Sequence, residues 1–132
     1  MTNQRLLSVA CSIVISVVLG ASAASAQISD GVVKIGVLND MSGTYSDLAG
    51  PGSVVAAKMA VEDFGGKVMG MPIEVISADH QNKPDIAANK AREWFDTQQV
   101  DVIVDLPTSS CALAVMEVAS QKNKVTLIST GA

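Results

Sequence analysis

The run Val102-Ile103-Val104, set between Asp101 and Asp105 and followed at once by Leu106-Pro107-Thr108-Ser109-Ser110, constrains this chain more than any other stretch. A short β-branched apolar run bounded by turn residues reads as a strand buried on both faces, as a parallel sheet requires. Pro107 has no N–H to give to a ladder, so the strand ends before it. The hydroxyls of Thr108, Ser109 and Ser110 are placed to cap the next helix, whose first N–H groups would point at any anion beside them. In open α/β sheets ligands sit just beyond the carboxyl ends of strands, which makes this turn the first candidate for a binding site.

The rest of the chain repeats the same strand-to-helix step. Val32 to Leu38 is a strand candidate, and the stretch from Asn39 to Gly52, rich in Gly, Ser, Asp and Pro, reads as an irregular surface segment and a ligand wall. Val54, Ala57, Val61 and Phe64 recur at helical spacing, predicting a helix over Ser53 to Asp63 that stops at Gly65-Gly66. Gly70 and Pro72 punctuate the turn into Ile73 to Ala78, whose alternation predicts a strand with one face more exposed, toward the sheet's edge. Asp79 to Lys83 is a loop, and Pro84 opens a helix carrying Ala87, Ala91, Trp94 and Phe95 on one stripe down to Thr97. After the strand at Val100 come a helix from about Ser110 to Lys122 and a last strand, Val125 to Ile128. The order β-α-β-α-β-α-β predicts right-handed crossovers and a parallel α/β sheet with helices on both faces. Ending at Ser129-Thr130-Gly131-Ala132 would leave a sheet edge uncovered, so the expectation is a lobe truncated after its fourth strand.

Residues 1–26 stand apart. Arg5 gives a positive start, Leu6 to Leu19 is an apolar stretch too short to span a bilayer comfortably, and Ala24-Ser25-Ala26 is a small-x-small cleavage pattern before Gln27. This predicts a signal peptide cut after Ala26 and export of residues 27–132, a length that suits one small domain. The leader holds only Arg5 of the 9 basic residues and none of the 13 acidic ones, so the remainder is one unit more negative than the whole-chain −4 and carries no basic cluster. Nucleic acid is therefore not an expected partner. Of the 2 cysteines only Cys111 lies past the cleavage point, which excludes an intramolecular disulfide and a cysteine-based metal site in the mature chain.

Reactive chemistry is sparse. His80 is the single histidine and reads as a surface-loop residue with no second ligand to share a metal. Cys111 sits where a helix N-terminus would lower a thiol pKa, yet no base is placed near it by the spacing, so a packed small apolar residue is the favoured reading. Asp79, Asp101 and Asp105 fall at strand ends, where capping and solvation explain them as well as a site does. Asn39-Asp40-Met41-Ser42-Gly43 replaces the Gly-x-Gly-x-x-Gly run of a phosphate-binding turn, and no cofactor or metal is expected. Trp94 and Phe95 read as core. What remains is a set of hydroxyl and backbone-donor residues after three strands: Ser42-Gly43, Thr108-Ser109-Ser110 and Ser129-Thr130-Gly131. If the strands are parallel they share one sheet edge, where they could hold a small polar ligand without reacting with it.

Taken together, the leader, Val33-Lys34-Ile35-Gly36-Val37 with Met41-Ser42-Gly43, Ala57 to Asp63, Gly70 to Val75, Asp79 with Asn82 and Pro84, and Thr108-Ser109-Ser110 resemble the leucine/isoleucine/valine-type solute-binding proteins of ABC transporters. The resemblance spans essentially all of residues 27–132 and implies a partial N-terminal lobe of the type I periplasmic-binding, Rossmann-like fold, in proteins about three times longer whose two lobes close on a ligand. It implies a non-enzymatic, periplasmic protein that hands solute to an ABC permease. The implied contacts are Thr108 and Ser109 to a ligand carboxylate, a carbonyl near Gly131 to an ammonium group, and the loop of Tyr45, Leu48 and Ala49 along the ligand's side chain; Ser42 and Ser110 are candidates from the convergence of hydroxyl residues alone. Asn82 and Pro107 stand where the best-known members carry a disulfide pair, and relatives bind branched-chain amino acids, amides, urea or aromatic acids, so the solute class stays open. Two other readings remain: a sensor domain of the same fold, and a secreted α/β hydrolase using Ser110 or Cys111, against which the missing Gly-x-Ser-x-Gly elbow counts.

Overall fold

The computed structural model describes residue 28 and residues 30–131; the leader and its cleavage point lie outside the described residues. The elements run β1 (Val33–Asn39), α1 (Ser46–Ala49), α2 (Pro51–Phe64), β2 (Lys67–Val68), β3 (Met71–Asp79), α3 (Pro84–Thr97), β4 (Val102–Asp105), α4 (Ser109–Gln121) and β5 (Val125–Ile128). They build a five-stranded sheet in the order β2-β3-β1-β4-β5. β1 pairs in parallel with both β3 and β4, and β4 with β5, so four carboxyl ends share one edge. Only β2 is antiparallel, closing a hairpin onto the start of β3.

The expected helices and parallel strands are present, with two additions. The β2–β3 hairpin turns at Met69-Gly70, both at positive φ, the geometry of a two-residue hairpin loop. Two residues of strand are too short to leave a periodic trace. α1 is a single turn inside the segment expected to be irregular, and its last residue, Ala49, is buried with Gly50 rather than lying on the surface. As expected of a strand with one exposed face, β3 lies near the edge, with only β2 outside it.

One face of the sheet carries the core. α3 and α4 pack side by side on it, burying Trp94, Phe95, Cys111 and Val115 against Leu38 and Ile103. Gly36 of β1 is required by this packing, because a Cβ there would lie 2.5 Å from the Trp94 ring. On the opposite face α2 crosses β1 and β3 and buries none of its own residues. The expectation that β4 is buried on both faces is therefore corrected: Ile103 and Asp105 are buried, whereas Val102 and Val104 are only half-buried. Leu127 of neighbouring β5, on the same face as Val104, is 59% exposed. A second layer that stops at β1 leaves that half of the sheet to solvent. Among the described residues no helix is long and apolar enough to cross a membrane.

Candidate solute site at the carboxyl edge of the sheet

The four loops leaving the carboxyl edge are tied to one another by buried and half-buried side chains. After β1, Asp40 is wholly buried and its carboxylate accepts the N–H groups of Gly43 at 2.8 Å and Tyr45 at 3.0 Å, folding Met41 to Tyr45 into a tight turn. From the end of β3, Asp79 accepts the Met41 N–H at 3.0 Å, the Gln81 N–H at 2.7 Å and the Ser42 hydroxyl at 2.5 Å. Burial works against ionisation of Asp79, but those three donors together outweigh it and hold the carboxyl below the usual carboxylate range. Ser42 is thus exposed and oriented by β3, and Tyr45 stands 37% exposed at the start of α1.

His80, expected on the surface, is instead 0% exposed. It lies just past β3, its own N–H donated to the Asn39 carbonyl, so the ring is drawn down between β1 and α4. Nδ1 accepts the Asn82 N–H at 3.0 Å and lies 3.8 Å from Cys111 Sγ. A backbone N–H can only donate, so in the neutral ring the proton sits on Nε2, a buried atom without a hydrogen-bond partner. Burial lowers the His80 pKa, against the pull of Asp40, Asp79 and Asp105. Burial also raises the Cys111 thiol, helped by Asp40 and Asp85 and opposed by hydroxyls of Ser110 and Thr108. The helix-terminus effect expected at Cys111 loses to desolvation, and the thiol is a packed core group, as the favoured reading held.

Thr108 is the residue before α4, but its side chain makes no cap hydrogen bond to that helix. The hydroxyl donates to Asn82 Oδ1 at 2.8 Å instead, bridging the loops after β4 and β3. Ser109 and Ser110 are the first two residues of α4 and are exposed. Asp105, placed by sequence among the solvated strand ends, is buried; one oxygen accepts Asn39 Nδ2 at 3.1 Å and the other the hydroxyls of Ser129 at 3.0 Å and Thr130 at 3.2 Å. Asp101, at the opposite end of the strand, accepts the Lys34 N–H at 2.8 Å. Gly131 lies so close to the Leu106 carbonyl that a Cβ would come within 2.9 Å of it.

The structure therefore brings Ser42, Tyr45, Thr108, Ser109, Ser110 and Gly131 to one edge of one sheet. Sequence reasoning missed the buried polar layer beneath them, Asn39, Asp40, His80 and Asp105. The only trace was position, a polar residue immediately after an apolar strand, which is equally common at exposed strand ends.

The family profile described as periplasmic binding protein matches residues 32–132. Among solved structures, a periplasmic binding protein from Burkholderia mallei is 54% identical with a TM-score of 0.74, over 76% of this chain and 27% of that one. A branched-chain amino acid ABC transporter periplasmic ligand-binding protein from Burkholderia xenovorans is 48% identical, TM-score 0.73, with the same 76% and 27% coverage. A solute-binding protein of an ABC transporter from Rhodopseudomonas palustris, in complex with 3,4-dihydroxybenzoic acid, is 26% identical, TM-score 0.69, over 77% and 28%. No curated protein matches the chain. The chain spans a little over a quarter of the length of these relatives. On the match over residues 32–132 and the 54% identity, the chain belongs to the periplasmic binding protein family.

Proposed function

We propose that this chain supplies part of the amino-terminal lobe of an ABC transporter's solute-binding component, exported by cleavage after Ala26 and binding an amino acid or a similar small carboxylate in the periplasm. The observation that carries the reading is the convergence of Ser42, Thr108-Ser109-Ser110 and Gly131 on one carboxyl edge, in a member of this family. Residues 27–132 form the partial lobe, in keeping with the quarter-length coverage of the relatives. The N–H groups at the start of α4, with the Thr108 and Ser109 hydroxyls, suit a carboxylate. Ser42 and Tyr45 line its side chain and the carbonyl near Gly131 meets an ammonium group, where the solute has one. The permease then takes the solute onward. The role is non-enzymatic: the Cys111 thiol is buried with a raised pKa, and burial of His80 lowers its own.

Titration calorimetry on the full-length protein with leucine, isoleucine, valine and 3,4-dihydroxybenzoate tests this. At least one carboxylate should bind with a Kd near micromolar, about −8 kcal/mol. Absence of binding across the panel, or esterase turnover abolished by Ser110→Ala, would overturn it. Amino-terminal sequencing of the periplasmic protein should start at Gln27; an intact Met1 or a lipidated Cys11 would sink the export reading.

A further inference from the structure

Asp105 is unusual on three counts. Its backbone φ is +84°, in the region that favours glycine, although it ends a strand. Its side chain is 7% exposed, yet both oxygens are engaged by neutral donors from other elements. On one side Asn39 Nδ2 shares its two hydrogens among this oxygen, the Gly50 carbonyl at 2.9 Å and the Ala49 carbonyl, so that oxygen is linked to β1 and to the junction of α1 and α2. On the other, the hydroxyls of Ser129 and Thr130 converge on the second oxygen, and the Ser129 N–H meets the Asp105 carbonyl at 3.3 Å. A left-handed backbone at a buried aspartate whose side chain joins three elements raises the question of its role.

We propose that Asp105, acting with Asn39, is a positioning residue that holds the Ser129–Gly131 segment at the solute edge. The Asn39–Asp105 couple transmits the position of the α1–α2 junction across β1 and β4 to the loop after β5. It thereby sets where the Gly131 backbone lies relative to Thr108 and Ser109. This rests on the reading of the carboxyl edge as the solute site, and it assigns Asp105 no contact with solute, since its carboxylate is buried and already accepts from Asn39, Ser129 and Thr130.

The test uses the full-length protein and the variants Asp105→Gly and Asp105→Asn. Glycine relieves the positive φ while deleting the carboxylate, so if only the backbone conformation at this position mattered, loop and site would change little. Positioning predicts that amide hydrogen exchange at Ser129 to Gly131 speeds at least tenfold in Asp105→Gly. For whichever of leucine, isoleucine, valine and 3,4-dihydroxybenzoate binds the wild type, Kd should weaken at least tenfold. Asp105→Asn keeps one acceptor and the original shape, folds even if the glycine variant does not, and should fall between the two in exchange and affinity. Unchanged exchange in both variants overturns the proposal. So does faster exchange with unchanged affinity for a solute that binds the wild type, because the segment would then lie outside the site. If no probe binds the wild type, the solute reading fails by itself, and the exchange rates still decide whether Asp105 holds the segment.

Discussion

The Thr108 hydroxyl donates to the side-chain carbonyl of Asn82 at 2.8 Å, joining the loop after β4 to the loop after β3. The contact turns the hydroxyl toward the neighbouring loop, and the Thr108 side chain makes no cap hydrogen bond to the helix it precedes. Thr108→Val should cost about 1 kcal/mol of stability through the lost bond and on the order of 1–3 kcal/mol of solute binding. Asn82→Ala breaks the same bond but leaves the hydroxyl in place, so it should reproduce the stability loss with affinity within about twofold of wild type. Thermal melts and titration calorimetry on the two variants separate the roles; equal affinities in Thr108→Val and wild type would place the site elsewhere.

Stability should fall as pH drops below about 6.5, the value for an unperturbed histidine. Burial depresses the His80 pKa in the folded protein, so between that ordinary value and the lower folded one the unfolded chain binds a proton that the native ring refuses. The contribution is fully present above the unfolded value and is lost as pH falls toward the folded one. Protonation would also remove the Nδ1 acceptor from the Asn82 N–H, loosening the loop that supports Thr108. Melting temperatures of wild type and His80→Gln should therefore converge as the pH is lowered from 7.5 to 5.5. Parallel curves for the two proteins would rule out His80 as the titrating group.

Cys111 should resist a thiol-specific reagent in the native protein at pH 8 and react fully in denaturant. Its burial both blocks access and raises its pKa above the ordinary thiol value, so the thiolate is scarce as well as hidden. Rapid native labelling would show that α4 opens readily or that the thiol is exposed.

Gly36→Ala should destabilise the fold by about 1–3 kcal/mol, the range for overpacking a well-filled core. The new methyl would collide with the ring of Trp94 and also approach Val100 at 3.3 Å. Chemical denaturation gives the loss, and pairing with Trp94→Leu should recover part of it, since the substitution removes the colliding ring; strictly additive losses would mean the strand moves rather than the ring clashes.

Most of the architecture was legible because its signals are local. Pro84 with the stripe Ala87, Ala91, Trp94 and Phe95 marks α3, and the β-branched run Val102 to Val104 marks β4, from periodicity and turn residues alone. β2 was not, since two residues carry no period and their pairing with Met71 and Pro72 is made by the Met69-Gly70 turn. Likewise Val104 read as fully buried because its composition demands an apolar neighbour, while its actual cover depends on how far α2 reaches across the sheet.

The candidate edge divides in the same way. Sequence by itself determined that hydroxyl and glycine residues follow parallel strands, and parallel strands place their carboxyl ends together; Ser42, Thr108 and Gly131 were found on that ground. Tertiary structure alone decided what stands beneath them. A histidine in a polar loop is buried where its N–H meets the Asn39 carbonyl, a partner 41 positions away, and an aspartate at a strand end becomes a buried hub because Asn39 reaches it from β1 and Ser129 and Thr130 from the segment after β5. Burial and hydrogen bonding of this kind are properties of distant segments brought together. Residue type and spacing along the chain carry no record of them.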